Sequence, residues 1–132
     1  MLITVFTPTY NRAYILPKLF ESLKRQSFRD FEWIIVDDGS TDGTRELVEA
    51  MRKDCRAKFP IRYIYQVNSG KHVAWNRGLD EAEGVLFFPV DSDDYLTDDA
   101  LARIGENCET VISNERLMAL SGVRIFPGNK LT

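Results

Sequence analysis

A chain of 132 residues has room for one compact domain and too little for two. Apolar residues make up 44% of it, enough for a buried core, which excludes a wholly disordered chain. The formal net charge is -3 and no basic stripe stands ready to neutralise a phosphate backbone, so nucleic acid is excluded as the expected partner.

The first residues, Met1 to Phe6, enter an apolar strand-like run with no charged leader, which predicts a cytoplasmic protein without a signal peptide. The first strand is expected over Leu2–Phe6, followed by the polar stretch Thr7-Pro8-Thr9-Tyr10-Asn11-Arg12. Leu16, Leu19, Phe20 and Leu23 repeat at helical spacing, with Pro17 tolerated in a first turn. A second strand is expected over Glu32–Val36, ending in Asp37-Asp38-Gly39-Ser40-Thr41-Asp42-Gly43. A helix over Thr44–Lys53 then buries Leu47, Val48 and Met51. The third strand is read at Ile61–Gln66, and Asn68-Ser69-Gly70-Lys71-His72 opens a helix reaching about Ala82. Val85–Val90 is the fourth strand and the longest apolar run. It falls far short of the roughly 20 residues of a membrane span, so membrane contact is expected to be peripheral, through a longer form, if it occurs at all. After Asp91-Ser92-Asp93-Asp94, a helix following Thr97 sets Leu101, Ile104, Cys108 and Val111 on one face, with Asp98 and Asp99 at its positive end. A last strand is expected within Leu117–Phe126.

Cys55 and Cys108 have neither metal-finger nor redox spacing. Both fall in helical or near-helical stretches and are read as free thiols that fill small apolar spaces. A reducing compartment fits.

Alternation of strands and amphipathic helices predicts an α/β fold with a Rossmann-like, mostly parallel sheet flanked by helices. Strand order 3-2-1-4 places strands one and four side by side, and ligands bind such sheets at that switch point, beyond the carboxyl ends of the strands. Thr7–Arg12, Asp37–Gly43 and Asp91–Asp94 should meet there. The opposite strand ends look ordinary.

Three carboxylates at the end of a buried strand repel one another unless a cation sits among them, and Mn²⁺ or Mg²⁺ prefers such oxygen ligands together with substrate phosphates. The competing reading of Asp91–Asp94 is an acidic turn that caps the next helix. Asp38 suits a ribose or base N–H, or else a local turn. Tyr10 offers a face to a base and Arg12 a fork to a phosphate, or the two decorate a plain turn. Lys71 lies where helix N–H groups attract anions, with Asn76 and Arg77 further along. His72, the only histidine, reads as partly buried or capping ahead of catalytic, and Trp75 as core.

With these stretches in view, the chain resembles the family 2 glycosyltransferases of the GT-A, nucleotide-diphospho-sugar transferase fold. The carriers are Thr7–Arg12, Phe31–Thr44 and Asp91–Asp94, in order and at the right spacing, with Gly70–Leu79 similar to the helix before the family's DxD strand. The match reaches about Leu120. The resemblance implies transfer of a sugar from a nucleoside diphosphate sugar, a UDP-sugar first among candidates, to a glycan, lipid-linked or polysaccharide acceptor, with inversion. It further implies that Pro8 and Tyr10 line the base and Asp38 hydrogen-bonds it. Arg12, Lys71, Asn76 and Ser92 lie along the nucleotide sugar. Asp91 approaches ribose or sugar, and Asp93, with Asp91 as a second ligand, holds Mn²⁺ or Mg²⁺ against the diphosphate.

Two departures qualify this expectation. Trp75 stands where the family commonly has an arginine. No acidic residue follows Glu115 to serve as the general base for an inverting transfer, so the base is expected beyond Thr132. Residues 1–132 are accordingly expected to form a donor-binding domain ending before the acceptor region. The alternative function is a non-catalytic nucleotide-sugar-binding module. A dehalogenase-type phosphohydrolase needs its acidic pair after strand one, as does a receiver domain, and a nucleotidyltransferase needs a Gly-rich, Arg-containing loop there. None of these is present.

Overall fold

The computed structural model describes residues 2–106 and the strand at 124–125. Its strands are β1 (Ile3–Thr9), β2 (Phe31–Asp37), β3 (Ile61–Tyr65), β4 (Leu86–Pro89) and β5 (Arg124–Ile125), in the sheet order β3-β2-β1-β4-β5. The first four are mutually parallel, as the alternating pattern requires, and β5 joins β4 antiparallel. The helices are α1 (Leu16–Lys24), α2 (Thr44–Arg52), α3 (Lys71–Glu81) and α4 (Ala100–Glu106). Cys108, Val111 and most of the expected last strand lie outside the described residues.

Apolar residues on the two sheet faces explain which helix lies where. Ile3, Val5, Trp33 and Ile35 share one buried cluster with Leu16, Leu19, Phe20 and Leu23 of α1, Val48 and Met51 of α2, and Leu101 of α4. Phe6, Ile34, Val36 and Phe87 alternate to the other face, where Ala74 of α3 meets them. Leu47, expected in the core, is only partly buried at its edge.

β1 extends three residues past the expected end at Phe6, through Thr7, Pro8 and Thr9. Thr9 C=O accepts Asp38 N–H, whereas Phe6 C=O accepts Val90 N–H, so even-numbered residues of β1 direct their backbone groups towards β4. Pairing with β4 stops at Phe6. The N–H that Pro8 lacks would therefore point where no neighbouring strand needs it, and proline is accommodated. The polar sequence suggests a loop where backbone pairing with β2 in fact continues to Asp37.

The opposite strand ends are not ordinary. Glu32 is wholly buried, and its carboxylate accepts from Thr4 Oγ1 at 2.6 Å, Glu83 N–H at 2.8 Å and Arg62 Nη1 at 3.3 Å. An alternating strand pattern does not announce a charge at a core position. Here three donors offset its desolvation.

Cys55 corrects a second expectation, because it is exposed in the turn after α2 and fills no apolar space. No helix among the described residues is long and apolar enough to cross a membrane.

α3 approaches the sheet closely at Gly78, where a Cβ would stand 2.3 Å and 2.4 Å from two ring atoms of Phe6. That ring is fully buried, stacked on Phe87 at 5.2 Å and edge-on to Trp75 at 5.5 Å, so it has nowhere to retreat. Gly78→Ala gains about 1 kcal/mol of helix propensity but forces α3 off the strand, and the net expectation is a loss of about 2 kcal/mol. A urea titration checks it.

Candidate functional site

Side chains of one strand-end loop occupy the backbone groups of the next, and this fixes the upper edge of the sheet. Asn11 N–H donates to Ser40 Oγ at 2.8 Å, Thr41 N–H donates back to Asn11 Oδ1 at 2.8 Å, and Ala13 N–H reaches Asp42 Oδ2 at 3.0 Å. The exchange holds Asn11 at φ 51, a left-handed conformation that asparagine tolerates better than most residues. Tyr10 and Arg12 are thereby set on either side of a pinned residue.

Asp38 ties the second loop to the third. Its Oδ1 accepts from Gln66 Nε2 at 2.8 Å and Ser69 N–H at 2.7 Å, and its Oδ2 from Gly70 N–H at 3.0 Å. Burial alone would push this carboxyl up, but the three hydrogen bonds outweigh it and the group stays below the ordinary carboxylate range. Gly39 makes the approach possible: it has φ +90, and a Cβ there would lie 2.9 Å from Asn68 N. Asp37 is fully buried in β2 and serves the turn, accepting Ser40 N–H at 2.9 Å as well as the Tyr63 hydroxyl. Burial and the Asp37 carboxylate both push the Tyr63 phenol up, which keeps it a donor.

The third wall follows β4. Val90 N–H donates to Phe6 C=O at 2.8 Å, and Asp94 N–H closes a turn on Asp91 C=O at 3.0 Å. Carboxylate oxygens of Asp91, Asp93 and Asp94 lie within 4.8 Å of one another, all on exposed side chains, while Ser92 is buried. Lys71 Nζ stands 3.3 Å from Asp91 Oδ1 across the gap. That pair is exposed and contributes little stability, but it sets one cation at the edge of an acidic group. Hard oxygen donors at this spacing suit Mn²⁺ or Mg²⁺.

A cleft of about 370 Å³ opens between the walls, lined by Pro8, Thr9, Tyr10, Arg12, Asp38, Lys71, Ala74, Asp91, Ser92 and Asp93. Of the residues singled out in sequence, Asn76 is not among these. It lies with Lys71, His72 and Trp75 around a neighbouring shallow depression, because its place on α3 turns it outward. Arg77 is exposed and does not line the cleft. His72 is exposed, neither buried nor capping, and Trp75 is half-buried on Phe6 and Phe87 as a core-edge residue. Sequence reading missed Thr9 and Ala74 in the lining and Gln66 behind Asp38. Two buried atoms here, Thr9 Oγ1 and Gln66 Oε1, have no hydrogen-bond partner among the described residues. Glu115 and Thr132, the residues that bound the expectation about the general base, both lie outside the described residues.

The glycosyl transferase family 2 model matches residues 4–110, from the start of β1 past the acidic loop. The chain belongs to this family. The GalNAc(5)-diNAcBac-PP-undecaprenol beta-1,3-glucosyltransferase of Campylobacter jejuni is 36% identical over 103 residues, covering 77% of this chain and 33% of that protein. Among solved structures, S. aureus TarS 1-349 in complex with UDP superposes with a TM-score of 0.75 at 34% identity, over 83% of this chain and 32% of that one. A mannosyltransferase from Pyrobaculum calidifontis in complex with GDP-Man and Mn²⁺ gives a TM-score of 0.66 at 29% identity, over 70% of this chain and 28% of that one. The chain spans about a third of the length of the first curated relatives it matches. The GT-A fold expected from the resemblance is the fold of these neighbours.

Proposed function

We propose that this chain is the donor-binding part of a glycosyltransferase that uses a UDP-sugar, with Mn²⁺ at the acidic loop and a glycan or lipid-linked acceptor. The observation that carries the reading is one cleft in which an aromatic residue, two cationic residues and the carboxylates of the acidic loop face one another. Tyr10 and Pro8 would receive the base, and Arg12 and Lys71 the diphosphate, with Asp91 beside the ribose or sugar. Asp93, with Asp91 and Asp94 near it, has the donor set for the cation. A metal bound there supplies positive charge where the departing nucleoside diphosphate gathers negative charge as the anomeric C–O bond breaks.

Asp38 fits a different role from base recognition alone. Both of its oxygens already accept from the β3–α3 loop, so its first task is to hold that loop and the start of α3 beside the cleft.

Calorimetry with UDP, GDP and dTDP, each with and without Mn²⁺, tests the reading. The expected result is UDP binding that is detectable alone and markedly tighter with Mn²⁺ than without it. Absence of binding by all three diphosphates in the presence of Mn²⁺ would overturn it.

A further inference from the structure

Gln26, at the end of α1, is 1% exposed although it is polar. Its amide is fully used. Nε2 donates to Ser22 C=O at 3.0 Å and to Thr97 C=O at 2.7 Å, and Oε1 accepts Leu101 N–H at 3.0 Å. Two carbonyls on one side and an N–H on the other fix which end is nitrogen. Ser22, also wholly buried, accepts Leu96 N–H on its Oγ at 3.1 Å, and Ser27 N–H donates to Asp98 C=O at 3.2 Å. The end of α1 therefore grips the backbone from Leu96 to Leu101.

That segment begins where the acidic loop ends. On one side of the loop, Val90 is bonded to Phe6 in the sheet; on the other, Leu96 is bonded to Ser22. Only Asp91 to Tyr95 lie between these anchors, so a small slip of the second anchor changes how the carboxylates converge. Oxygen ligands of a divalent cation must meet at one point, and a misplacement that a loose peptide contact survives is costly there.

We infer that Gln26, with Ser22, is a positioning residue for the metal-binding loop: it acts through the backbone of residues 96–101 and touches neither metal nor nucleotide. The inference rests on the proposed Mn²⁺ site. It predicts that disturbing the end of α1 loosens the cation more than the base.

The test is a Mn²⁺ titration of the whole chain in the presence of UDP, followed by electron paramagnetic resonance, alongside UDP binding measured without metal. In Gln26→Glu the acceptor for Leu101 N–H remains but both donors go, and the new carboxylate confronts two carbonyls. The apparent Mn²⁺ affinity is expected to fall on the order of tenfold or more, and metal-free UDP binding to change less than twofold. Ser22→Ala, a smaller change that removes the Leu96 acceptor and the local bond from Ser22 Oγ to Leu19 C=O, should shift in the same direction and covers the case in which Gln26→Glu does not fold. Val48→Ala is the comparison: it lowers stability from the α2 side of the core and should leave Mn²⁺ affinity unchanged. Mn²⁺ affinity within twofold of wild type in the folded Gln26 or Ser22 variants overturns the inference, and so does an equal loss in Val48→Ala. A wild-type chain that takes up no Mn²⁺ with UDP overturns the metal site itself, a separate and recognisable outcome.

Discussion

Replacing Asp38 by alanine will lower stability by about 3 kcal/mol and the melting midpoint by on the order of 10 °C. The mechanism is the loss of three charge-assisted hydrogen bonds at once, from Gln66 Nε2, Ser69 N–H and Gly70 N–H. Water refills part of the space near the exposed Ser69 and Gly70, which is why the figure stays below the sum of three separate losses. Asp38→Asn should fall between wild type and alanine, since one oxygen still accepts while the new NH₂ meets a donor. The same carboxyl gives the pH dependence its sign. Its folded pKa lies below the ordinary value, so its contribution is complete above about pH 4 and is lost as pH falls through the lower, folded value. Asp42 acts in the same direction: burial raises it, and hydrogen bonds led by the Thr44 hydroxyl bring it below its ordinary range. Wild-type stability should therefore decline on acidification below about pH 4, with a shallower decline in Asp38→Asn and a residual slope from Asp42. Thermal melts between pH 7 and pH 3 measure both effects. An Asp38→Ala midpoint within a few degrees of wild type would show that the β3–α3 loop does not depend on this residue.

Much of this architecture is legible in the sequence because the responsible forces are local and periodic. Ile3, Val5, Leu16, Leu19 and Leu23 declare their buried faces by spacing alone, and the polar strand ends declare where the cleft opens. What escaped is of a different kind. Asn11 and Ser40 are 29 positions apart, and Asp38 and Gly70 are 32 apart, yet each pair is a hydrogen bond on which a loop conformation depends. Gln26 reads as an ordinary polar helix end until α4 is folded against it 75 positions later. Glu32 and Pro8 escaped because strand pattern records hydrophobicity and says nothing of which neighbour supplies a donor or leaves an edge free. Asn76 was misplaced by its nearness to Lys71 in sequence: the α3 face carrying Lys71 and Ala74 meets the cleft, and Asn76 lies beyond it.

Asp93→Ala should have opposite effects on binding and on bare stability. Three carboxylates whose oxygens lie within 4.8 Å of one another repel, and Lys71 offsets the charge only at Asp91. Without metal, removing one of them relieves the repulsion, so the metal-free variant should melt slightly above wild type, by a few tenths of a kcal/mol and most visibly at low salt. With Mn²⁺ and UDP the order should reverse. Losing a ligand outright costs more than losing a supporting contact, so Mn²⁺-dependent UDP binding should weaken on the order of a hundredfold or more, and the ligand-induced rise in melting temperature should vanish. Asp94→Ala separates a metal carboxylate from a bystander: a comparable loss assigns Asp94 to the cation, and retained binding leaves Asp91 and Asp93 as the pair. A structural role for the acidic turn alone predicts a different result, since removing Asp93 would then shift stability by the same small amount whether or not Mn²⁺ and UDP are present. The sign change with metal distinguishes a loop whose carboxylates are held together for a cation from one that merely begins a helix.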